Sequence, residues 1–381
     1  MSPSHLRLPA EWEPQAAVLL AWPHAGTDWA ARLDAVEETC AALIAAITRF
    51  ETTIVCAPDA EVGAHAAECL RDAGADLDHV RFVELPYDDT WLRDSGPIIL
   101  KSGTGVPAAA RTQPARPMSG LASDASDDSR SAQPCADDLE HFRILDFRFT
   151  GWGGKFEASQ DDALIAGLID HGVFRRDAQH QRIDWALEGG AIESDGRGTI
   201  LTTWRCVHQR HPDQSRELIE LTLRNALSAR RVLWLDHGYL QGDDTDAHVD
   251  TLARFAPNEA IVHQACSDPD DPHHAELDAM RRELEALRTV EGKPYRLFPL
   301  PWPQPIVDDG RRLAASYANY LIVNDAVLMP AYGDAVDDAA AQTIALAHPG
   351  REIVQIPCRP LIWQNGSLHC MTMQLAAGVV A

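Results

Sequence analysis

Apolar positions along the chain fall into a recurring grammar, in which a run with helical spacing is followed after a short gap by a short strand-like run. Between Asp28 and Phe50 the residues Val36, Cys40, Leu43, Ile44 and Ile47 share one helical face, and Thr52-Thr53-Ile54-Val55-Cys56 then reads as a strand. The same succession is predicted for Ala60 to Ala73 before Val80 to Leu85, and for Arg216 to Ser228 before Arg231 to Leu235. It recurs in His274 to Thr289 before Tyr295 to Pro299, and in Val336 to Ala347 before Glu352 to Ile356. Glu157 to Asp170 reads as a further helix with Leu164, Ile165 and Leu168 turned inward. Hairpins punctuate the series. Ala191 to Ser194 and Thr199 to Thr203 flank Asp195-Gly196-Arg197-Gly198, where Asp-Gly supplies the positive φ that a tight turn needs. Phe255 to Val262 and Asn319 to Pro330, turning at Asn324-Asp325, repeat the device. The pattern predicts a mixed α/β fold of about five strand, hairpin and helix units instead of strict βαβ alternation.

One stretch breaks the grammar. Ser102 to Asp138 is rich in Ala, Ser, Asp, Pro and Gly and nearly devoid of large apolar residues, which predicts an inserted surface loop. Phe142 to Phe149 resumes a strand pattern suited to pair with Gly96 to Leu100, so residues 1–381 are expected to form a single catalytic domain carrying that insertion at 102–138.

Charge narrows the function. With 57 acidic against 33 basic residues the formal net charge is −24, which repels nucleic acid and suits a cationic substrate, although most of these charges simply solvate the surface. The eight cysteines are dispersed without C-x-x-C spacing and no secretory leader precedes them, so a reduced, cytoplasmic protein without a zinc ribbon is expected. Apolar runs such as Ala16 to Trp22 are too short for a membrane span.

The polar positions just ahead of each hairpin carry the chemistry. They offer Asp94, Glu188, the pair His248 and Asp250, and finally Cys370, with Asn319 at the corresponding place in the remaining unit. Units arranged around an axis would aim these side chains at one pocket. A guanidinium is planar and permanently charged, and carboxylates such as Asp94 and Asp250, with Glu188, match its N–H fork. His248 and Asp250, two apart, would share a face of an extended segment, and His248 would exchange protons at the reacting carbon. Cys370, which follows a glycine-containing turn and opens an alternating run, is then the nucleophile, and the bound cation would lower its thiol pKa. Each residue also has a plainer reading: a buried structural cysteine, metal ligands in Asp246-x-His248-x-Asp250, a core aromatic in Trp91, a turn carboxylate in Glu188.

Taken together, the ordered blocks resemble the agmatine deiminase family, also called the Porphyromonas-type peptidyl-arginine deiminase family. They are Leu8-Pro9-Ala10-Glu11-Trp12-Glu13-Pro14, Leu20-Ala21-Trp22-Pro23-His24, Asp88-Asp89-Thr90-Trp91-Leu92-Arg93-Asp94-Ser95-Gly96-Pro97 and Gly151-Trp152-Gly153-Gly154-Lys155-Phe156. They continue with Leu187-Glu188-Gly189-Gly190, Gly242-Asp243-Asp244-Thr245-Asp246-Ala247-His248-Val249-Asp250, Ser316-Tyr317-Ala318-Asn319-Tyr320 and Leu368-His369-Cys370. The resemblance implies a pentein fold, a five-bladed α/β propeller with its site on the pseudo-fivefold axis. It also implies hydrolysis of agmatine to N-carbamoylputrescine and ammonia, a step in putrescine formation, without cofactor or metal. By the same resemblance Cys370 is the nucleophile, His248 the acid and base, Asp94 and Asp250 the guanidinium clamp and Trp91 part of the pocket wall, with Asp244 or Glu188 toward the far end of the substrate. A homo-oligomer is left open.

The chain departs from its relatives at two places. Gln364-Asn365-Gly366-Ser367 replaces the usual Gly-Gly-Gly-Asn, and Ala247 replaces the usual Gly before the histidine. Fewer glycines restrict positive φ and close backbone approach, so the accepted guanidine is open between agmatine and free or peptidyl arginine. Rival readings of the same residues are an amidinotransferase, a metal-dependent hydrolase using Asp246, His248 and Asp250, and a guanidine-binding protein without turnover.

Overall fold

The computed structural model describes residues 6–102 and 140–381. Of the predicted insertion only Ser102 lies within these residues, and it closes a strand. The described chain is a mixed α/β fold whose strands form five sheets of three or four strands and one two-stranded ribbon.

All five sheets share one order. Two strands pair antiparallel, a helix follows the second of them, and a third strand joins parallel to that second strand. Ile98–Ser102, Phe142–Arg148 and Gln179–Ala186 follow this order, as do Ile192–Ser194, Thr199–Thr203 and Arg231–Leu235. Ala253–Ala256, Ala260–Gln264 and Arg296–Leu300 give the third sheet, and Leu321–Val323, Ala326–Ala331 and Glu352–Pro357 the fourth. The fifth is assembled from sequence-distant parts: Met373–Ala376 runs antiparallel to Gln15–Ala21, which is parallel to Thr52–Ala57, itself parallel to Val80–Glu84.

Local chemistry explains the elements. Ala60–Asp72 begins where the Asp59 carboxylate accepts from the amide of Val62 at 2.9 Å, and Ser215 caps Arg216–Ala226. Central strands such as Gln15–Ala21 read as continuous apolar runs because both faces are covered; Ala17 through Ala21 are all buried. The hairpins turn through positive φ at Gly196, at Asn258 and Glu259, and at Asp325.

Two helices begin later than the periodicity predicted. The first runs from Leu33 to Ile47 after a single turn at Ala30–Arg32, and the one expected from Glu157 runs from Leu164 to Asp170 after a turn at Asp161–Ala163. Composition alone cannot separate a helical approach from a helix when side chains rather than backbone bonds fasten it: the Asp88 carboxylate accepts from the amide of Gln160 at 2.7 Å.

Candidate active site

Six candidate side chains, Asp94, Glu188, His248, Asp250, Asn319 and Cys370, sit just ahead of the first strand of a sheet unit. Asp94 lies in the helical turn Leu92–Ser95 before Ile98–Ser102, and Glu188 immediately precedes the turn Gly189–Ala191 before Ile192–Ser194. His248 immediately precedes the turn Val249–Thr251 and Asp250 lies inside it, before Ala253–Ala256. Asn319 precedes Leu321–Val323, and Cys370 precedes Met373–Ala376. Two expectations are corrected here. Cys370 occupies the turn before a strand rather than the strand itself, and His248 and Asp250 are brought inward by a 3₁₀ turn rather than by an extended segment.

These side chains converge in a space closed to solvent. His248 and Asp250 are 0% exposed, Glu188 1%, Asn319 1%, Cys370 3% and Asp94 4%, so every charge among them must find a partner inside. Asp94 Oδ1 accepts from the amide of Gly190 at 3.0 Å, and its Oδ2 accepts from Nε1 of Trp152 at 2.9 Å. His248 stands between carboxylates, Nδ1 at 3.5 Å from Asp94 Oδ1 and Nε2 at 3.5 Å from Glu188 Oε2. Neither ring nitrogen makes a hydrogen bond, and Asp250 Oδ1 is equally unpartnered. Asn319 Nδ2 donates to Cys370 Sγ at 3.2 Å, while its Oδ1 accepts from the amides of His369 and Cys370 at 3.0 and 3.3 Å. Cys370 Sγ faces Asp250 Oδ2 at 3.7 Å.

Gly190 marks the centre. A Cβ built on it would lie 2.7 Å from His248 Nδ1, 2.8 Å from Asp94 Oδ1 and 3.1 Å from Asp250 Oδ2, so three functional groups crowd a spot that only a glycine leaves open.

The electrostatics follow from that crowding. Burial pushes the Cys370 thiol well above its ordinary range, and the Asp250 and Asp94 carboxylates push it further. Burial also raises the Asp94 carboxyl to about 6, with Asp250 and Glu188 adding to it against His248. Burial opposes charge on His248, yet Asp94, Cys206 and Glu188 outweigh it and raise its pKa well above the usual histidine range. Burial works the other way on Glu188 and Asp250, but His248 and Arg210 hold Glu188 low, and His369, with His248 and Arg254, holds Asp250 low. A buried cluster with surplus negative charge and a neutral thiol is poised for a cation.

Trp91 and Asp244 lie along the segment from Gln364 to Ser367. Trp91 packs against Trp29 at 5.6 Å between ring centroids, and Gly366 approaches its ring so closely that a Cβ there would lie 2.3 Å from it. Asp244 Oδ2 accepts from Asn365 Nδ2 at 2.8 Å. The Gln364 to Ser367 segment therefore runs from Asp244 to Trp91. Its Asn365 takes φ 74°, a conformation Asn tolerates, so the left-handed geometry survives the loss of glycine. Ala247 takes φ 72° despite its Cβ, and Asp246 beside it takes φ 66°. The Asp246 carboxylate meets Lys155 Nζ and Arg210, each at 2.7 Å, and not the His248 imidazole.

Sequence reasoning missed a layer beneath the site. His369 Nδ1 pairs with Asp250 Oδ2 at 2.8 Å and its Nε2 lies 3.0 Å from Glu11 Oε1, within a buried group that includes Glu193, Arg254 and Arg93. The one sequence signal was Arg254, a charge between Ala253 and Phe255 in an apolar strand. Trp152, held at φ 55°, was also missed as the donor to Asp94.

Comparison with known proteins places the arrangement. The model for the Porphyromonas-type peptidyl-arginine deiminase family matches residues 7–376. The chain belongs to this family. It is 30% identical to an agmatine deiminase of Pseudomonas aeruginosa strain LESB58, covering 97% of this chain and 95% of that protein, and 30% identical to one from Stutzerimonas stutzeri strain A1501, with 98% and 96% covered. Among solved structures it resembles a C. jejuni agmatine deiminase carrying a Cys-to-Ser substitution with substrate bound: 28% identity, TM-score 0.81, 98% of this chain and 97% of that one. It also resembles a Porphyromonas gingivalis protein given the provisional name arginine deiminase, at 40% identity, TM-score 0.81 and 99% coverage of both chains.

Proposed function

We propose that this family member is an agmatine deiminase, hydrolysing agmatine to N-carbamoylputrescine and ammonia. The observation that carries the reading is the convergence, in one buried space, of a thiol, an unpartnered imidazole and two carboxylates delivered by different sheet units. The five sheets of common order, and the pairing of Met373–Ala376 with Gln15–Ala21, support closure of the units into a five-bladed ring with those side chains on its axis.

Asp94 and Asp250 receive the guanidinium in place of the solvent it leaves, and Asp244 takes the ammonium at the far end. The arriving cation lowers the thiol pKa that the same carboxylates raise, so substrate helps to generate the thiolate. Cys370 Sγ then bonds to the guanidinium carbon. His248, positively charged in its carboxylate setting, gives a proton to one terminal nitrogen, that C–N bond breaks, and ammonia leaves behind an S-alkylthiouronium. His248, now neutral, takes a proton from water as the water oxygen adds to the same carbon. The C–S bond breaks as the added hydroxyl passes its proton to the departing sulfur and becomes the carbonyl, the ureido product departs and the Cys370 thiol is restored.

The test is a substrate panel. Purified protein given agmatine without an acceptor amine should release ammonia and a ureido product in equal amounts, and Cys370→Ala should abolish both. Ammonia release faster with free or peptidyl arginine would replace agmatine as substrate. Amidino transfer that requires an added amine would overturn the hydrolase.

A further inference from the structure

The mechanism leaves one buried thiol unused beside its proton-transfer group. Cys206, on the helix Trp204–Arg210, is 0% exposed, and its Sγ lies 3.9 Å from Glu188 Oε2. That oxygen is 3.5 Å from His248 Nε2, and the ligand atoms of Glu188, Cys206 and His248 all lie within 4.8 Å of one another. The 3.5 Å separation is too long for a good N–H···O bond, which is why the imidazole remains unpartnered. It is nevertheless the separation that a tetrahedral ion sets between its ligands. Bonds of about 2.0–2.1 Å to nitrogen and oxygen and about 2.3 Å to sulfur leave neighbouring ligand atoms about 3.3–3.6 Å apart. The imidazole and carboxylate already have this spacing, and the thiol, at 3.9 Å from the carboxylate, needs to move in by a few tenths of an ångström.

We propose that Glu188, Cys206 and His248 form a site for a thiophilic divalent cation, zinc by its ligand chemistry, whose binding removes the proton-transfer imidazole from the reaction. The surroundings are those of a metal centre. Asp94 Oδ1 stands 3.5 Å from the opposite ring nitrogen, the place of a carboxylate that orients a metal-bound histidine. Arg210 Nε holds Glu188 Oε1 at 2.7 Å and so directs Oε2 toward the thiol and imidazole. Among the described residues two other mixed clusters lack this geometry. Glu37 and His65 already make a direct 2.9 Å contact, and Arg254 is seated between Glu11 and Glu193 beside His369. Inhibition rests on the deiminase reading; binding does not.

Cobalt(II) titration of the reduced protein separates the two. A thiolate-to-cobalt charge-transfer band should develop in the wild type and in Cys370→Ala, disappear in Cys206→Ala and Cys206→Ser, and be displaced by zinc. A wild type without the band, or a band lost with Cys370 but kept without Cys206, overturns the site. In the ammonia-release assay, zinc should inhibit the wild type, while Cys206→Ala turns over with its zinc inhibition constant raised more than about tenfold. Equal zinc sensitivity of the two proteins refutes the inhibitory role. Circular dichroism of both Cys206 variants verifies the fold, and the serine variant stands in if the alanine variant does not fold.

Discussion

Asn319 donates its side-chain amide to Cys370 Sγ at 3.2 Å, reaching from the fourth sheet unit to the turn that opens the fifth. The same side chain receives the amides of His369 and Cys370, so it both fixes the turn and offers a donor to a developing thiolate. Asn319→Ala should lower kcat/KM about 10–100-fold, the value of a buried hydrogen bond to a charged group at ~1.5–3 kcal/mol. The pH dependence of iodoacetamide inactivation should shift upward with it. Unchanged alkylation kinetics would remove Asn319 from thiolate stabilisation.

Gly190 gives the sharpest steric prediction. A methyl group there must displace His248, Asp94 or Asp250, and neither carboxylate can retreat without leaving its buried partners. Gly190→Ala should cut kcat/KM by about 10²-fold, the order of effect of a misplacement near 1 Å, while far-ultraviolet circular dichroism stays that of the wild type. Near-normal turnover would show that the three groups do not act at that spot.

Acid should switch the site off through Asp94. Its carboxyl, raised to about 6 chiefly by burial, must be ionised to clamp a guanidinium; kcat/KM should therefore rise with pH through about 6 and fall below it. The profile of kcat should break at lower pH, because bound cation favours the carboxylate. Asp94→Asn, and likewise Asp250→Asn, should weaken both binding and turnover. A kcat/KM profile flat from about pH 5 to 7 argues that Asp94 is not the titrating clamp.

Asn365 holds Asp244 with a 2.8 Å hydrogen bond and also accepts from Arg311. Asn365→Gly preserves the left-handed backbone and releases the carboxylate, so KM for agmatine should fall about two- to five-fold with kcat little changed, on the scale of one hydrogen bond. A raised KM would mean that Asn365 itself contacts substrate.

Much of this was legible in the chain. Helix and strand periodicity located the units because each element has one buried face, and the turn residues ahead of the hairpins pointed to Asp94, Glu188, His248, Asp250, Asn319 and Cys370. Long-range partnership was not legible. Nothing local to Gln15–Ala21 announces that Met373–Ala376 lies beside it, and nothing local to Trp152 announces a bond to Asp94. The layer of Glu11, Arg254 and His369 was hidden for the same reason, since its members come from distant parts of the chain. The glycine positions were misjudged in the opposite sense: the chain enters positive φ at Ala247 and Asn365 because surrounding contacts over-determine the turns, including Asp243 Oδ2 on the Ala247 amide at 2.7 Å.

The sheet that joins Met373–Ala376 to Gln15–Ala21 has a consequence in time as well as in space. The strand that seats Cys370 finds its neighbour across nearly the whole length of the polypeptide, and such a contact forms only after a large loop has closed. Cys370 thus owes its place beside Asp250 and Asn319 to the strand pairing of longest sequence separation among the described residues. A growing chain carries Asp94, Glu188, His248 and Asp250 before Cys370 has been made.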